Sequence, residues 1–232
     1  MTETSTTACR AAALAASAAI AALLFGACAR RPPVLVPPPS GVEAVAGYAS
    51  ASVRGEAADI KGKFAFLFRR PGLGRVEVFD PLGRTVYYMV FTGETAYLVV
   101  PSRRAYAEDR PAALVARFLG FDLGPDEALE LLGGEWPAGA GAAKGWSLVR
   151  DGQGRISRGE RDGLVFEVAD FFPGGGVPRT VRFSKPGTTG RLVVLSMEFN
   201  PAPRPDAFGT AFLKTFARRP IEELEETRDD AP

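Results

Sequence analysis

Few residues in this 232-residue chain could do covalent chemistry. There is no histidine, which removes Ser-His-Asp and Cys-His relays and any histidine-ligated metal. Cys9 and Cys28 are the only cysteines, so no disulfide framework is on offer. No G-x-S-x-G elbow is present. Gly62-Lys63-Phe64 has Ala57 where a phosphate loop needs glycine, and Phe64 where it needs Ser or Thr. Gly72-x-Gly74 is followed by Glu77 where a dinucleotide fingerprint needs its third glycine. Pro173-Gly174-Gly175-Gly176 precedes no helical pattern that could cradle an anion. Carboxylates such as Glu56, Asp59 and Asp109 could pair as acid and base, but any soluble domain offers such pairs. The expectation is a chain with no catalytic residue, no metal and no cofactor, and so not an enzyme. Lys plus Arg is 28 against 27 Asp plus Glu, which leaves no basic field for nucleic acid.

Two other features carry chemistry of a non-catalytic kind. The first is Cys28. Arg10 is followed by an apolar Ala/Leu run over residues 11–25, then Gly26-Ala27-Cys28. A cationic start, a short apolar run and small residues before a cut make a secretory signal. The run is shorter than the ~20 residues of a spanning helix. The second is Asp80-Pro81-Leu82-Gly83. Pro81 pre-sets φ at a corner, Gly83 accepts a positive φ, and Asp80 is expected to bond its own turn's backbone. A leucine at the tip is the exception, because turn tips face water. Either Leu82 folds back on the sheet edge or it is displayed to something apolar.

The elements that must position these features read as follows. Residues 30–40, RRPPVLVPPPS, are proline-rich and extended, suited to a tether. Residues 41–52 place Val42, Val45 and Tyr48 on one helical face, which predicts a short N-terminal helix. From Val53 the period moves toward two. Phe64, Phe66 and Phe68 share a face, and Val76 and Val78 alternate with charges. Tyr87, Met89 and Phe91 alternate with Val86, Tyr88 and Val90, so both faces of that strand are apolar. One face must pack a core and the other meet a helix or a cavity. Thr92-Gly93-Glu94 is a hairpin turn leading to a return strand with Tyr97 and Val99. Arg110-Pro111 opens a helix striped by Leu114, Val115, Phe118 and Leu119. Pro125-Asp126-Glu127 opens another with Leu129, Leu131 and Leu132, stopped by Gly133-Gly134. Residues 135–145 read as a Gly/Ala loop. Strands follow at 146–150, 155–159, 164–171, 180–184 and 191–199, the last with Arg191, Val193, Leu195, Met197 and Phe199 as its apolar face. Residues 207–216 form a last strand or short helix, and 217–232 an acidic, solvated tail.

The order strand, Asp80-Pro81-Leu82-Gly83 turn, paired strands, then two helices resembles LolB-like outer-membrane lipoprotein receptors of the LolA/LolB fold. The similarity reaches back to Val53-Arg54-Gly55 and forward to about Phe199. Cys28 after Gly26-Ala27 resembles a bacterial lipobox, although Phe25 stands where leucine is usual. The resemblance implies a mainly β, α+β domain over residues 41–216. Its fold would be a curved, unclosed antiparallel β-barrel with short helices over its concave opening. Residues 1–27 would be a lipoprotein signal peptide, and 28–40 the lipidated (palmitate-bearing) cysteine and tether. It further implies a lipid-anchored receptor at the periplasmic face of the outer membrane, monomeric. That receptor takes lipoprotein acyl chains from a LolA-like carrier into an apolar cavity and inserts them into the membrane. Ala29, rather than aspartate, after Cys28 agrees with outer-membrane sorting of the enterobacterial kind. By the same resemblance, Asp80, Pro81, Leu82 and Gly83 form the membrane-insertion loop. Phe64, Phe66, Phe68, Tyr87, Met89 and Phe91 line the cavity, since flexible Met and broad rings suit varied acyl chains. Leu114, Phe118, Leu129 and Leu132 belong to a lid. The alternative is a structural or adaptor outer-membrane lipoprotein that uses the fold without cargo transfer.

Overall fold

A computed structural model describes residues 33–55, 59–119, 122–136, 139–202, 204 and 206–225. Everything below concerns the unit Val34–Pro232. Cys28 and the signal segment lie outside the described residues.

The alternating segments pair into one 12-stranded sheet. Its strands are β1 (Ala44–Gly55), β2 (Asp59–Arg69), β3 (Leu73–Phe79), β4 (Thr85–Thr92), β5 (Thr95–Val100), β6 (Ala105–Asp109), β7 (Ser147–Arg150), β8 (Ile156–Arg161), β9 (Leu164–Phe171), β10 (Pro178–Lys185), β11 (Thr188–Phe199) and β12 (Ala217–Arg218). The order is β12-β6-β5-β4-β3-β2-β1-β11-β10-β9-β8-β7, and β12 and β7 do not pair, so the curved barrel is unclosed. All pairings are antiparallel except β12 with β6. The helices are α1 (Pro111–Leu119), α2 (Pro125–Gly133), α3 (Ala140–Ala143) and α4 (Ile221–Glu225). The sequence-based expectation of a mainly β, curved, unclosed sheet with short helices is the architecture observed.

Register places one apolar set on the concave face. Gly47, Phe66, Val76, Met89, Leu98 and Ala107 stand opposite one another across six strands. Val45, Phe68, Gly74, Phe91 and Ala96 form the next row. Fully buried side chains such as Phe91, Phe166 and Leu98 contribute about 1.5–3 kcal/mol each. The predicted helix at 41–52 is instead β1, the central strand between β2 and β11. Pairing on both sides overrides the local spacing of Val42, Val45 and Tyr48, and Tyr48 points outward. A Cβ on Gly47 would stand 2.1 Å from the Ser196 carbonyl oxygen and 2.9 Å from Phe66 Cζ, so only glycine allows this close strand approach.

The second apolar face of β4 also has a partner. Val90 and Val99 are fully buried on the outer face. There the C-terminal segment crosses the sheet as a 3-10 turn at Ala211–Thr215, with Phe212 5.7 Å from Tyr88 and Leu213 buried. Residues 217–225, expected as a solvated tail, are instead β12 and α4. Ile221 and Leu224 are buried, and Glu222 is bonded to Arg117 of α1 at 2.9 Å. The expected face of β11 is also corrected. A register shift opposite Tyr48/Ala49 breaks the period, so Leu195 is exposed and Leu192, Val194 and Met197 turn inward. In the 135–145 loop a single turn of helix, α3, forms.

Candidate functional site: an apolar cavity beside an exposed leucine

The two helices over the concave face are built from different signals. Pro111 and Pro125 start them, their missing N–H being no loss in a first turn. Gly134 (φ 70°) ends α2, donating its N–H to the Leu131 carbonyl. α2 lies over β1, β2, β3 and β10. Its carboxylates attach it there. Asp126 Oδ1 accepts from the Gly72 N–H at 2.8 Å in the β2–β3 turn. Glu127, 7% exposed, accepts from the Gly124 N–H (2.9 Å) and the Trp146 indole N–H (2.8 Å), and pairs with Arg161 of β8. Arg161 also lies 4.5 Å over the Trp146 ring and donates to the Asp122 carbonyl at 2.9 Å. Glu130, 3% exposed, takes Lys144 Nζ at 2.8 Å and Arg70 at 3.4 Å. Burying a carboxylate is costly unless it is hydrogen-bonded and paired in this way.

Between these helices and the sheet lies a cavity of about 140 Å³. From the sheet, Phe64, Phe68, Tyr87, Met89 and Phe91 line it, with Ala51, Val53, Gly62, Val76, Val78, Phe183 and Leu192. From above come Val115, Leu123, Pro125, Ala128, Leu131 and Leu132. Five of the six side chains expected at the cavity are brought together there. Phe66 is the sixth. It shares their face but is buried, stacked on Phe68 at 6.0 Å and filling the space left by Gly47, outside the lining. Among the expected lid residues, Leu132 faces the cavity. Leu114 and Leu129 are completely buried and seat their helices instead. The side chain of Phe118 lies outside the described residues. Val115, Ala128 and Leu131, at three- and four-residue spacing with the other stripe residues, take the cavity side. Helical periodicity alone does not say which edge of a broad stripe faces a void. Val76 and Val78 were detectable from their alternation. Ala51, Gly62 and Leu192 were not, because their place depends on register with distant strands.

The turn between β3 and β4 stands at the strand end to which Val53, Gly62, Val78 and Tyr87 bring the cavity lining. It is satisfied internally. Gly83 (φ 80°) donates to the Asp80 carbonyl at 2.9 Å, and Asp80 Oδ1 accepts from the N–H groups of Leu82 (2.8 Å) and Arg84 (2.9 Å). Arg84 Nε reaches Asp80 Oδ2 at 2.6 Å. The Arg84 backbone N–H first, then the Arg84 side chain and the Leu82 N–H, hold the Asp80 carboxyl below the ordinary carboxylate value. The Leu82 side chain has no part in any of this and is 79% exposed. Among the described residues no group of acids suited to a metal ion is found.

No family model matches the sequence, and no curated protein matches it. Solved structures share its fold. A putative outer membrane lipoprotein-sorting protein domain from Vibrio parahaemolyticus aligns with a TM-score of 0.51 at 9% identity, over 74% of this chain and 92% of that one. A DUF1329 family protein from Desulfovibrio piger aligns with a TM-score of 0.50 at 10% identity, over 74% and 92%. A LolA superfamily protein from Nitrosomonas europaea gives 0.48 at 11% identity, over the same shares. At such identities the likeness establishes the fold alone, the one shared with the lipoprotein-sorting domain and the DUF1329 protein.

Proposed function

We propose that this chain is a lipid-anchored, LolB-like receptor that accepts lipoprotein acyl chains from a periplasmic carrier and inserts them into the outer membrane. The observation that carries this reading is the pairing of an apolar cavity with an exposed leucine at the same end of one sheet. The cavity lining is almost wholly apolar, and the leucine is not needed by its own turn. Each CH₂ moved out of water is worth about 0.8 kcal/mol, so a multiply acylated cargo must pass directly from one apolar pocket to another. No nucleotide is needed for that step. Asp80, Pro81 and Gly83 hold Leu82 out to the bilayer, Cys28 supplies the anchor, and residues 28–40 the tether.

Size decides how loading proceeds. An apolar cavity of about 150 Å³ holds a benzene-sized ligand, and this one is about 140 Å³. In this closed form it takes a short acyl segment, and a full chain enters only when α1 and α2 rise from the sheet. Uptake of a fluorescent fatty acid by the purified full chain tests the reading, beside Met89→Asp. A charge placed at Met89 should abolish uptake, and an unpaired buried charge should also lower the melting temperature. Absence of uptake by the wild type, together with no lipid detected on it by native mass spectrometry, would overturn the reading.

A further inference from the structure

The outer face of the sheet, at the end that carries Leu82, holds an unusual row of charge. Register sets Arg158, Glu167, Arg182, Arg191, Ser52 and Lys61 directly opposite one another across β8, β9, β10, β11, β1 and β2. The one acid in the row, Glu167, is taken by Arg158 at 2.6 Å. Arg182 and Arg191 then face each other with no carboxylate between them. Both are exposed, and neither forms an ion pair among the described residues. Like charges directly opposite on neighbouring strands destabilise a sheet, so the isolated domain bears a cost here that an anion would relieve.

The row belongs to the Leu82 end. Arg191 lies three residues from the start of β11 and also borders the cavity. Lys63 stands opposite Phe79, the last residue before the turn, and Lys61 is two residues further on, level with the turn itself. Lys61 and Lys63 are exposed. At about 3.3 Å per residue these side chains start within roughly 10 Å of the strand ends, comparable with the ~8 Å screening length at physiological salt. Asp80 at this end is neutralised by Arg84. Asp162, in the β8–β9 turn, is an exposed acid, Asp59 opens β2, and the sequence adds Glu56 between β1 and β2.

We propose that Lys61, Lys63, Arg182 and Arg191 dock this face on an anionic phospholipid surface, orienting the cavity mouth and Leu82 toward the bilayer. The inference rests on the membrane-directed reading of Leu82 above. That neighbouring apolar tip favours a lipid surface over an acidic protein as the occupant.

The test uses the full chain with Cys28→Ser, so that no acyl anchor contributes. It is floated with vesicles of phosphatidylcholine or of phosphatidylcholine mixed with phosphatidylglycerol, at low and high salt. The wild-type sequence in this background should prefer the anionic vesicles at low salt and lose the preference at high salt. One cation at an anionic surface is worth roughly fivefold in affinity, so Lys61→Gln with Lys63→Gln and Arg182→Gln, none of which borders the cavity, should reduce the preference at least about tenfold. Lysine at 182 and 191 (Arg182→Lys, Arg191→Lys) should keep it. The melting temperature of the neutralised variant should be unchanged or higher, and its fatty-acid uptake unchanged. A wild type indifferent to vesicle charge overturns the proposal and leaves an acidic protein as the partner of this row; if it still takes up fatty acid, the cargo reading stands. Preference without fatty-acid uptake keeps the docking face and removes the cargo reading. Lost preference with a lowered melting temperature would assign the row to folding and also overturn the proposal.

Discussion

At the scale of single residues, Leu82 is the side chain whose presence folding does not explain. Asp80, Gly83 and Arg84 close the turn among themselves, and an exposed leucine at a turn tip contributes nothing to that closure. On entering a bilayer it would gain about 1.5–3 kcal/mol. That is too little to hold a protein at a membrane but enough, at 1.4 kcal/mol per decade, to change a release step tenfold or more. Leu82→Glu should therefore leave the melting temperature and fatty-acid uptake as they are, while slowing transfer of bound lipopeptide into liposomes by about that factor. Transfer at the wild-type rate would reduce Leu82 to a turn residue. Leu82 could be read from the sequence because Pro81 and Gly83 define its place locally. The cavity residues could be read only in part: the alternation in 64–68 and 87–91 shows which residues share a face, not that Phe66 would be buried against Gly47.

At the scale of elements, α2 covers the cavity, and the proposed loading would require it to leave. Its apolar side faces the cavity through Ala128, Leu131 and Leu132 and is seated by the fully buried Leu129. Its acidic side is fastened by Glu127 to Arg161 and by Glu130 to Lys144 and Arg70. Removing one partner of a buried pair costs about 3–5 kcal/mol, because the other charge is stranded. Arg161→Met should destabilise the domain by about that amount in urea titrations, and adding Glu127→Gln should recover a large part of it. The double variant should also take up fatty acid faster, since α2 is then held only by apolar contacts, Asp126 and Glu130. Equal uptake rates in the double variant and the wild type would show that these charges fix α2 without limiting loading. None of the three carboxylates of α2 could be given a partner from the sequence, which suggested only that acids suit the first turn of a helix.

At the scale of the whole molecule, the 12-stranded unclosed sheet would meet a membrane through three contacts of different strength. In the proposed scheme the acyl anchor at Cys28 would hold the chain, the basic row would orient it, and Leu82 would touch the bilayer. Cys28→Ala should abolish acyl mass on the protein and release it from membranes in cell fractionation, while fatty-acid uptake by the purified chain persists. A wild-type protein without acyl mass on Cys28 would remove the anchor from this scheme.

What the sequence by itself determined was local. The lack of histidine and of phosphate or nucleotide loops, the strands from 59 to 109, the proline-started helices and the Pro81–Gly83 turn all follow from residue type and short-range period. Tertiary structure decided the rest, because it depends on residues far apart in the chain. Residues 44–55 became a strand since Val45 pairs with both Phe68 and Phe199. Leu195 turned outward since a register shift opposite Ala49 broke the period of β11. The outer face of β4 found its cover in Phe212 and Leu213, more than a hundred positions further on. Periodicity tells which side chains point the same way. Burial depends on what arrives to cover them, and in a sheet whose central strand pairs with partners from both halves of the chain, only the folded molecule settles that.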